Sequence, residues 1–273
     1  MKITFPIDLF PKPINGSIEE EFNFYIQQIE SPYRDWLIEY LAPIQQDFFI
    51  APATTPDHIV AHHAERGGLL LHTVEVLRIA HTLIHASHEE KEQLLYDVWQ
   101  RYNETVWQLR RALRRGRRVK KRLQAVEEED NFFLTSIDDF LQRLSKETIE
   151  PSIIYTAIVL HDSAKVIEYD YPEASAHREH YYFQTERDHD YSSIKLHPLT
   201  GGFGHVTVGM MHIYHHLFTQ RVFQDFTFNY KVLRIIMTHH GKIEWGAPRV
   251  PNTLNERLVQ LADFISGKWG ASY

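Results

Sequence analysis

There is no cysteine in the chain. Disulfides, thiolate zinc sites and a cysteine nucleophile are therefore excluded, and redox compartment cannot be read from cysteine usage. No apolar run approaches the roughly 20 residues of a membrane-spanning helix. The opening stretch, MKITFPIDLFPKP, has prolines and an acid where a secretory leader needs an apolar core. A soluble, cytoplasmic protein with no membrane partner is the expectation. Strand signals are weak throughout. There are no internal repeats and no low-complexity tract beyond one basic run.

What is present is an ordinary globular composition, 43% hydrophobic and 24% charged over 273 residues, long enough for a sizeable core. Two features depart from it. Histidine is abundant, with 18 residues, many in clusters. Charge is uneven within a formal net of −7. Residues 110–122, RRALRRGRRVKKR, hold nine of the 29 basic groups and no acid. The remaining 20 basic groups face 36 acids, so an acidic body carries one basic segment.

Apolar periodicity predicts helices over about 18–30, 32–48, 70–86 and 89–115, with helix resuming after Gly116 and again at 136–147, 151–165, 205–219, 229–239 and 254–268. Ser17 is a suitable N-cap, with acids at 19–21 in the first turn. Gly67-Gly68 suit a tight turn before the third helix. Residues 170–204 lose periodicity and read as a lid or insertion. The fold class is all-α, with no linker that splits it.

The chemistry-bearing residues are His62-His63, His72, His161-Asp162, His205, His215-His216, His239-His240 and Asp263. They fall at helix ends or in doublets on different predicted helices, and a helical bundle can bring such side chains to one interior point. The run YTAIVLHDSAKV, 155–166, ends an apolar stretch in an imidazole and a carboxylate, with Lys165 one turn after His161. Asp162 can bridge two ions, one oxygen to each. The Lys165 ammonium would be repelled by a bare metal site, so an anion is expected between them. Two divalent ions against Asp162, Asp263 and neutral histidines leave a positive pocket, open to phosphate and able to lower the pKa of water. Imidazole and carboxylate donors without sulfur suit Mn²⁺, Fe²⁺, Co²⁺ or Ni²⁺, with Mg²⁺ and Zn²⁺ as alternatives. His81, His85, His88, His212, His215 and His216 read as core or surface residues, and His177, His180, His189 and His197 as solvent-facing.

The order His72, His161-Asp162, Asp263 resembles the signature of the HD-domain metal-dependent phosphohydrolases, an all-helical fold. His205 and His239-His240 resemble the further ligands of its two-metal members. HHAERGGLLLHTVEV (62–76), IVLHDSAKV (158–166), GHVTVGMM (204–211) and THHGKIEWGAP (238–248) resemble the HD domain of bacterial 3′-to-5′ exoribonucleases that carry an OB-fold in front. HHAERGGLLLHT is also similar to the HD module at the start of some conjugative relaxases. The resemblance covers about residues 50 to 268.

It implies that His72, His161, Asp162 and Asp263 hold one metal, and that Asp162 bridges to a second held by His205 with His239, His240 or both. Lys165 would contact the phosphate, and His62, His63 and Arg66 would line the substrate side. Trp245 would wall the pocket or anchor the turn after it. Residues 1–49 form an N-terminal extension with helices packing on the core, and 50–273 an HD helical bundle with an inserted helical segment at 88–135 and a long loop at 170–204. Three departures stand out. Ala164 occupies the position where the family has glycine before the lysine. The stretch before residue 50 is too short for an OB-fold. The two insertions are additions to the core.

The basic segment 110–122 either grips nucleic-acid phosphates or pairs with the acids EEED at 127–130. The expected activity is hydrolysis of a phosphomonoester or phosphodiester of a nucleotide or single-stranded nucleic-acid end. The alternative is a non-catalytic nucleotide- or nucleic-acid-binding module.

Overall fold

The computed structural model of the protein describes residues 9–55, 63–112, 117–171, 195–196, 203–220 and 225–269. The elements, in chain order, are α1 (Ile18–Gln27), α2 (Tyr33–Leu41), α3 (Gln45–Ile50), α4 (Gly68–His85), α5 (His88–Ala112), α6 (Arg117–Leu144), α7 (Pro151–His161) and α8 (Lys165–Glu168). They continue with β1 (Tyr169–Asp170), β2 (Lys195–Leu196), α9 (His205–Gln220), α10 (Phe226–Thr238) and α11 (Leu254–Trp269). The fold is all-α apart from the short antiparallel pair β1–β2. Among the described residues no helix is long and apolar enough to cross a membrane.

Local chemistry accounts for the boundaries. Ser17 closes a capping box with Glu20 at the start of α1. The helix expected over 32–48 is two helices, because Pro43 lacks an N–H and its ring crowds the preceding turn. The segments expected to start after Gly116 and at 136 form one helix, α6, since nothing between them breaks it. The helix expected to run to 165 stops at His161, and a turn at 162–164 separates it from α8.

Helix α7 is the axis of the bundle. Pro151 starts it, where a missing N–H costs nothing, and Ile153 to His161 are buried on all sides. The side chains of Ile153, Ile154, Tyr155, Ile158, Val159 and Leu160 each contribute roughly 1.5–3 kcal/mol by leaving water. Helices α4, α10, α2, α9, α11 and α1 all contact it. Phe22, Tyr25, Trp36, Leu37 and Phe48 of the first three helices belong to the same contiguous core as α4, α7 and α11. The buried ion pair Glu21–Arg78 ties α1 to α4.

Helices α5 and α6 form a hairpin whose base packs on α11 through Tyr102, Phe133 and Phe264. The basic segment spans the end of α5 and the start of α6. Its side chains, and the backbone of 113–116, lie outside the described residues, as do 172–194 and 197–202 of the stretch expected as a lid. Among the described side chains nearby, Glu128 accepts from Gln124, Glu129 pairs with Lys268, and Asp130 accepts from Trp99.

Candidate metal centre

Five helices deliver seven donor side chains to one point. His161 and Asp162 stand at the C-terminal end of α7, where the Asp162 N–H and the Ser163 hydroxyl both donate to Leu160 and close the turn. Gly209 on α9 faces Ala164, and a Cβ there would lie only 3.3 Å from the Ala164 methyl. The chain thus accommodates the alanine by having its glycine on the facing helix. His205 begins α9, and His239-His240 end α10 before Gly241, which takes the left-handed conformation. A Cβ at Gly241 would strike Phe132 at 2.6 Å. His72 and Asp263 come from the middle of α4 and α11, which pack against each other.

The two oxygens of Asp162 divide the donors into two groups. Oδ2 lies 3.5 Å from His72 Nε2 and 3.4 Å from His161 Nε2. Asp263 Oδ1 completes this group, 3.0 Å from His72 Nε2 and 3.7 Å from His161 Nε2. Oδ1 lies 3.1 Å from His205 Nε2 and 3.8 Å from His239 Nε2. His240 Nε2 is 3.2 Å from His205 Nε2. Donors about 2.1 Å from a common ion stand about 3.0–3.4 Å apart in octahedral or tetrahedral arrangements, close to these spacings.

Four of the five rings are oriented from behind. The Nδ1 atoms of His161 and His239 face the carbonyls of Ile158 and Ile236. His205 Nδ1 is 3.0 Å from Glu168 Oε2, while the His205 backbone N–H donates to Glu168 Oε1, so one carboxylate both caps α9 and fixes the ring. His72 Nδ1 is 2.9 Å from Ser266 Oγ. Each arrangement turns Nε2 toward Asp162, the usual support of a metal-bound histidine. Lys165 and His205 meet the two Asp162 oxygens, whereas His239 Nε2 and His240 Nδ1 are buried without a hydrogen-bond partner. Buried polar atoms seldom stay unsatisfied. His72 and His161 bring Nε2 atoms to 3.4 Å of each other, an approach that a shared cation relieves. On these observations the residues present fit divalent cations, which His72, His161, Asp162 and Asp263 on one side and His205, His239 and His240 on the other would hold.

The electrostatics agree. Burial works against the Asp162 carboxylate, but His161, Lys165 and His205 hold its pKa well below the usual range. Asp263 is likewise held low against burial, by His161 and His72. Burial, reinforced by neighbouring imidazoles, pushes His239 far down and His240 down to about 4, so both are neutral and able to donate a lone pair. Without an ion the Glu168 and Asp162 carboxylates outweigh burial and raise His205 to about 9. There the protein answers two carboxylates with a proton, where a bound cation would replace it.

The Lys165 ammonium sits directly on Asp162 Oδ2 at 2.7 Å. Asp162 outweighs burial and keeps it charged. It also lines a cavity of about 430 Å³ together with Asp162, Asp263, Trp245, Phe264, Glu129 and Lys268. Trp245 serves both readings made for it, walling this cavity while packing on Phe132 and Phe264.

Of the residues assigned to the substrate side, His62 lies outside the described residues. Arg66 is exposed in the turn before α4, and neither it nor His63 lines the cavity. His63 is buried, with Nε2 3.1 Å from Glu75 Oε2. Glu168, Glu75 and Ser266 were not anticipated from the sequence. His81 and His216 lie elsewhere, bonded to Tyr155 and Trp36. No family model, no curated protein and no solved structure matches the chain.

Proposed function

We propose that this protein is a metal-dependent phosphohydrolase of the HD-domain type, acting on a phosphomonoester or phosphodiester of a nucleotide or nucleic-acid end. One observation carries the reading: Asp162 presents each oxygen to a separate group of buried donors, Oδ2 to His72 and His161 and Oδ1 to His205 and His239. Divalent cations there supply Lewis acidity and water that ionises near neutral pH.

The chain's own residues do the rest. Asp162 and Asp263 offset positive charge, and the histidines add donors without adding charge. The Lys165 ammonium has three donors; one meets Asp162, leaving others directed at a phosphate oxygen in the cavity. A volume of about 430 Å³ lies in the range of small-ligand sites, and Trp245 and Phe264 offer apolar walls for a base or sugar. The carboxylates of Glu129 and Glu244 at the cavity wall disfavour a second phosphate there.

The basic segment fits a single strand as substrate. Residues 117–122 begin the helix that carries Glu129 to the cavity wall, seven to twelve residues along it. That is about 10–18 Å of helix, a short reach for a strand held by its phosphates.

The test is elemental analysis of protein loaded with Mn²⁺, followed by assay on p-nitrophenyl phosphate, bis(p-nitrophenyl) phosphate, nucleoside monophosphates, cyclic nucleotides and short single-stranded RNA and DNA. Two ions per chain and turnover of at least one substrate, both lost in Asp162→Ala, are expected. Two ions with no turnover on any substrate would select the non-catalytic binding module. No bound ion would remove the basis of both.

A further inference from the structure

His63 belongs to the segment that the sequence places on the substrate side, yet its imidazole is only 5% exposed and does not line the cavity. Its backbone is held in the left-handed region, φ 51°. Non-glycine residues adopt that conformation when surrounding structure demands it. The surroundings here are specific. The His63 carbonyl accepts from the Ala53 N–H, and a Cβ at Gly68 would fall 1.9 Å from the same carbonyl oxygen. The turn before α4 therefore closes tightly over His63 and seats its ring 5.6 Å from that of His72.

A chain of hydrogen bonds leads from it to the metal centre. His63 Nε2 lies 3.1 Å from Glu75 Oε2. The Ser266 hydroxyl donates to the same oxygen at 2.9 Å. Ser266 has one proton and spends it on Glu75, so its contact with His72 Nδ1 at 2.9 Å requires the histidine to donate. His72 is thereby fixed with its proton on Nδ1 and its lone pair on Nε2, facing Asp162 and Asp263.

We infer that His63, Glu75 and Ser266 form a positioning relay that sets the tautomer and angle of His72, and that His63 does not contact substrate. The inference rests on reading the site as metal-binding. The relay spans three separate pieces of chain: the turn at residue 63, α4 and α11. Burial works against its central carboxylate, but the hydrogen bonds with His63 and Ser266 help to hold its pKa below the usual value. It does for His72 through a hydroxyl what Glu168 does directly for His205.

The experiment compares Ser266→Ala, Ser266→Thr, Glu75→Gln and His63→Leu by calorimetric titration with Mn²⁺ and by kinetics on bis(p-nitrophenyl) phosphate. In Ser266→Ala, Glu75→Gln and His63→Leu, one of the two ions is expected to bind about 10–100-fold more weakly, the other unchanged. KM should hold while kcat falls, and Ser266→Thr, which keeps the hydroxyl, should restore the affinity. A purely structural role would lower thermal stability without this selective loss. Should His63→Leu raise KM and leave both ions in place, His63 faces substrate and the inference is wrong. Unchanged affinity in Ser266→Ala would overturn it equally. That substitution removes one buried oxygen, so it keeps the test decisive even if the other variants do not fold. If Asp162→Ala also kept both ions, the metal-site reading itself would fail, whereas its loss of metal alongside an intact Ser266→Ala condemns the relay alone.

Discussion

Removing the Arg78 side chain tests how the N-terminal helices support the centre. Arg78 lies on α4, six residues beyond His72, and is 3% exposed; Glu21 on α1 is 1% exposed. The guanidinium grips the carboxylate with two parallel bonds, Nε to Oε1 at 2.8 Å and Nη2 to Oε2 at 2.7 Å, and the Tyr25 hydroxyl donates to Oε1 at 3.2 Å. Arg78→Leu leaves Glu21 buried with only the tyrosine as donor. Breaking a buried pair from one side costs about 3–5 kcal/mol. Replacing both members by leucine removes the stranded charge, and such exchanges are often near neutral. The single variant should therefore be about 3 kcal/mol worse than the Glu21→Leu/Arg78→Leu double variant. Urea unfolding with EDTA present, so that metal does not contribute, reads the difference. At about 2–4 °C per kcal/mol for a chain of this size, Arg78→Leu should melt roughly 6–20 °C below the parent. A single variant within 1 kcal/mol of the parent, or a double variant as unstable as the single, would refute the reasoning.

Glu168→Gln replaces an acceptor pair with one acceptor and one donor, so either the His205 ring or its backbone N–H loses its partner. Metal affinity should fall about 10–100-fold, and an unchanged Mn²⁺ titration would show that Glu168 only caps the helix. Burial and the neighbouring His85 lower the pKa of His81 to about 4. A histidine that is harder to protonate folded than unfolded contributes stability above about pH 6.5, and that stability is lost as pH falls from there toward 4. Half-solvated as it is, His81 should cost about 1–2 kcal/mol between pH 7 and pH 4.5, less than the full shift converts to. The melting temperature of His81→Gln should fall less over that interval; identical slopes would assign the acid loss to other groups.

The helices that periodicity marked best are those with continuous apolar faces and nothing to interrupt them, such as α4, α9 and α11. The break between α2 and α3 was legible too, through Pro43, but the apolar pattern runs across it and hid the stop. His161-Asp162 and His239-His240 could be picked out because doublets at helix ends are rare enough to be noticed, whereas His72 and Asp263, single residues inside helices, take their proposed roles from the resemblance. Their supports could not. Glu168, Glu75 and Ser266 look like any polar residues on amphipathic helices, and only tertiary packing gives them an imidazole to hold. For the same reason the bond from His63 to Glu75 could not be read: sequence shows that His63 adjoins the site and not which way it points.

The order in which the helices pack has a bearing on a broken chain. α10 lies on α7, and α11 lies on both α4 and α6, so elements from after residue 203 are threaded among elements from before residue 172. His72, His161 and Asp162 come from the earlier portion, and His205, His239, His240 and Asp263 from the later. A peptide bond hydrolysed between Tyr171 and Lys195 would leave two pieces, neither holding a whole core or a whole donor set. Buried surface and ion pairs such as Glu129–Lys268 and Glu150–Lys231 would hold them together, and two halves produced separately would have to find each other before either could be native.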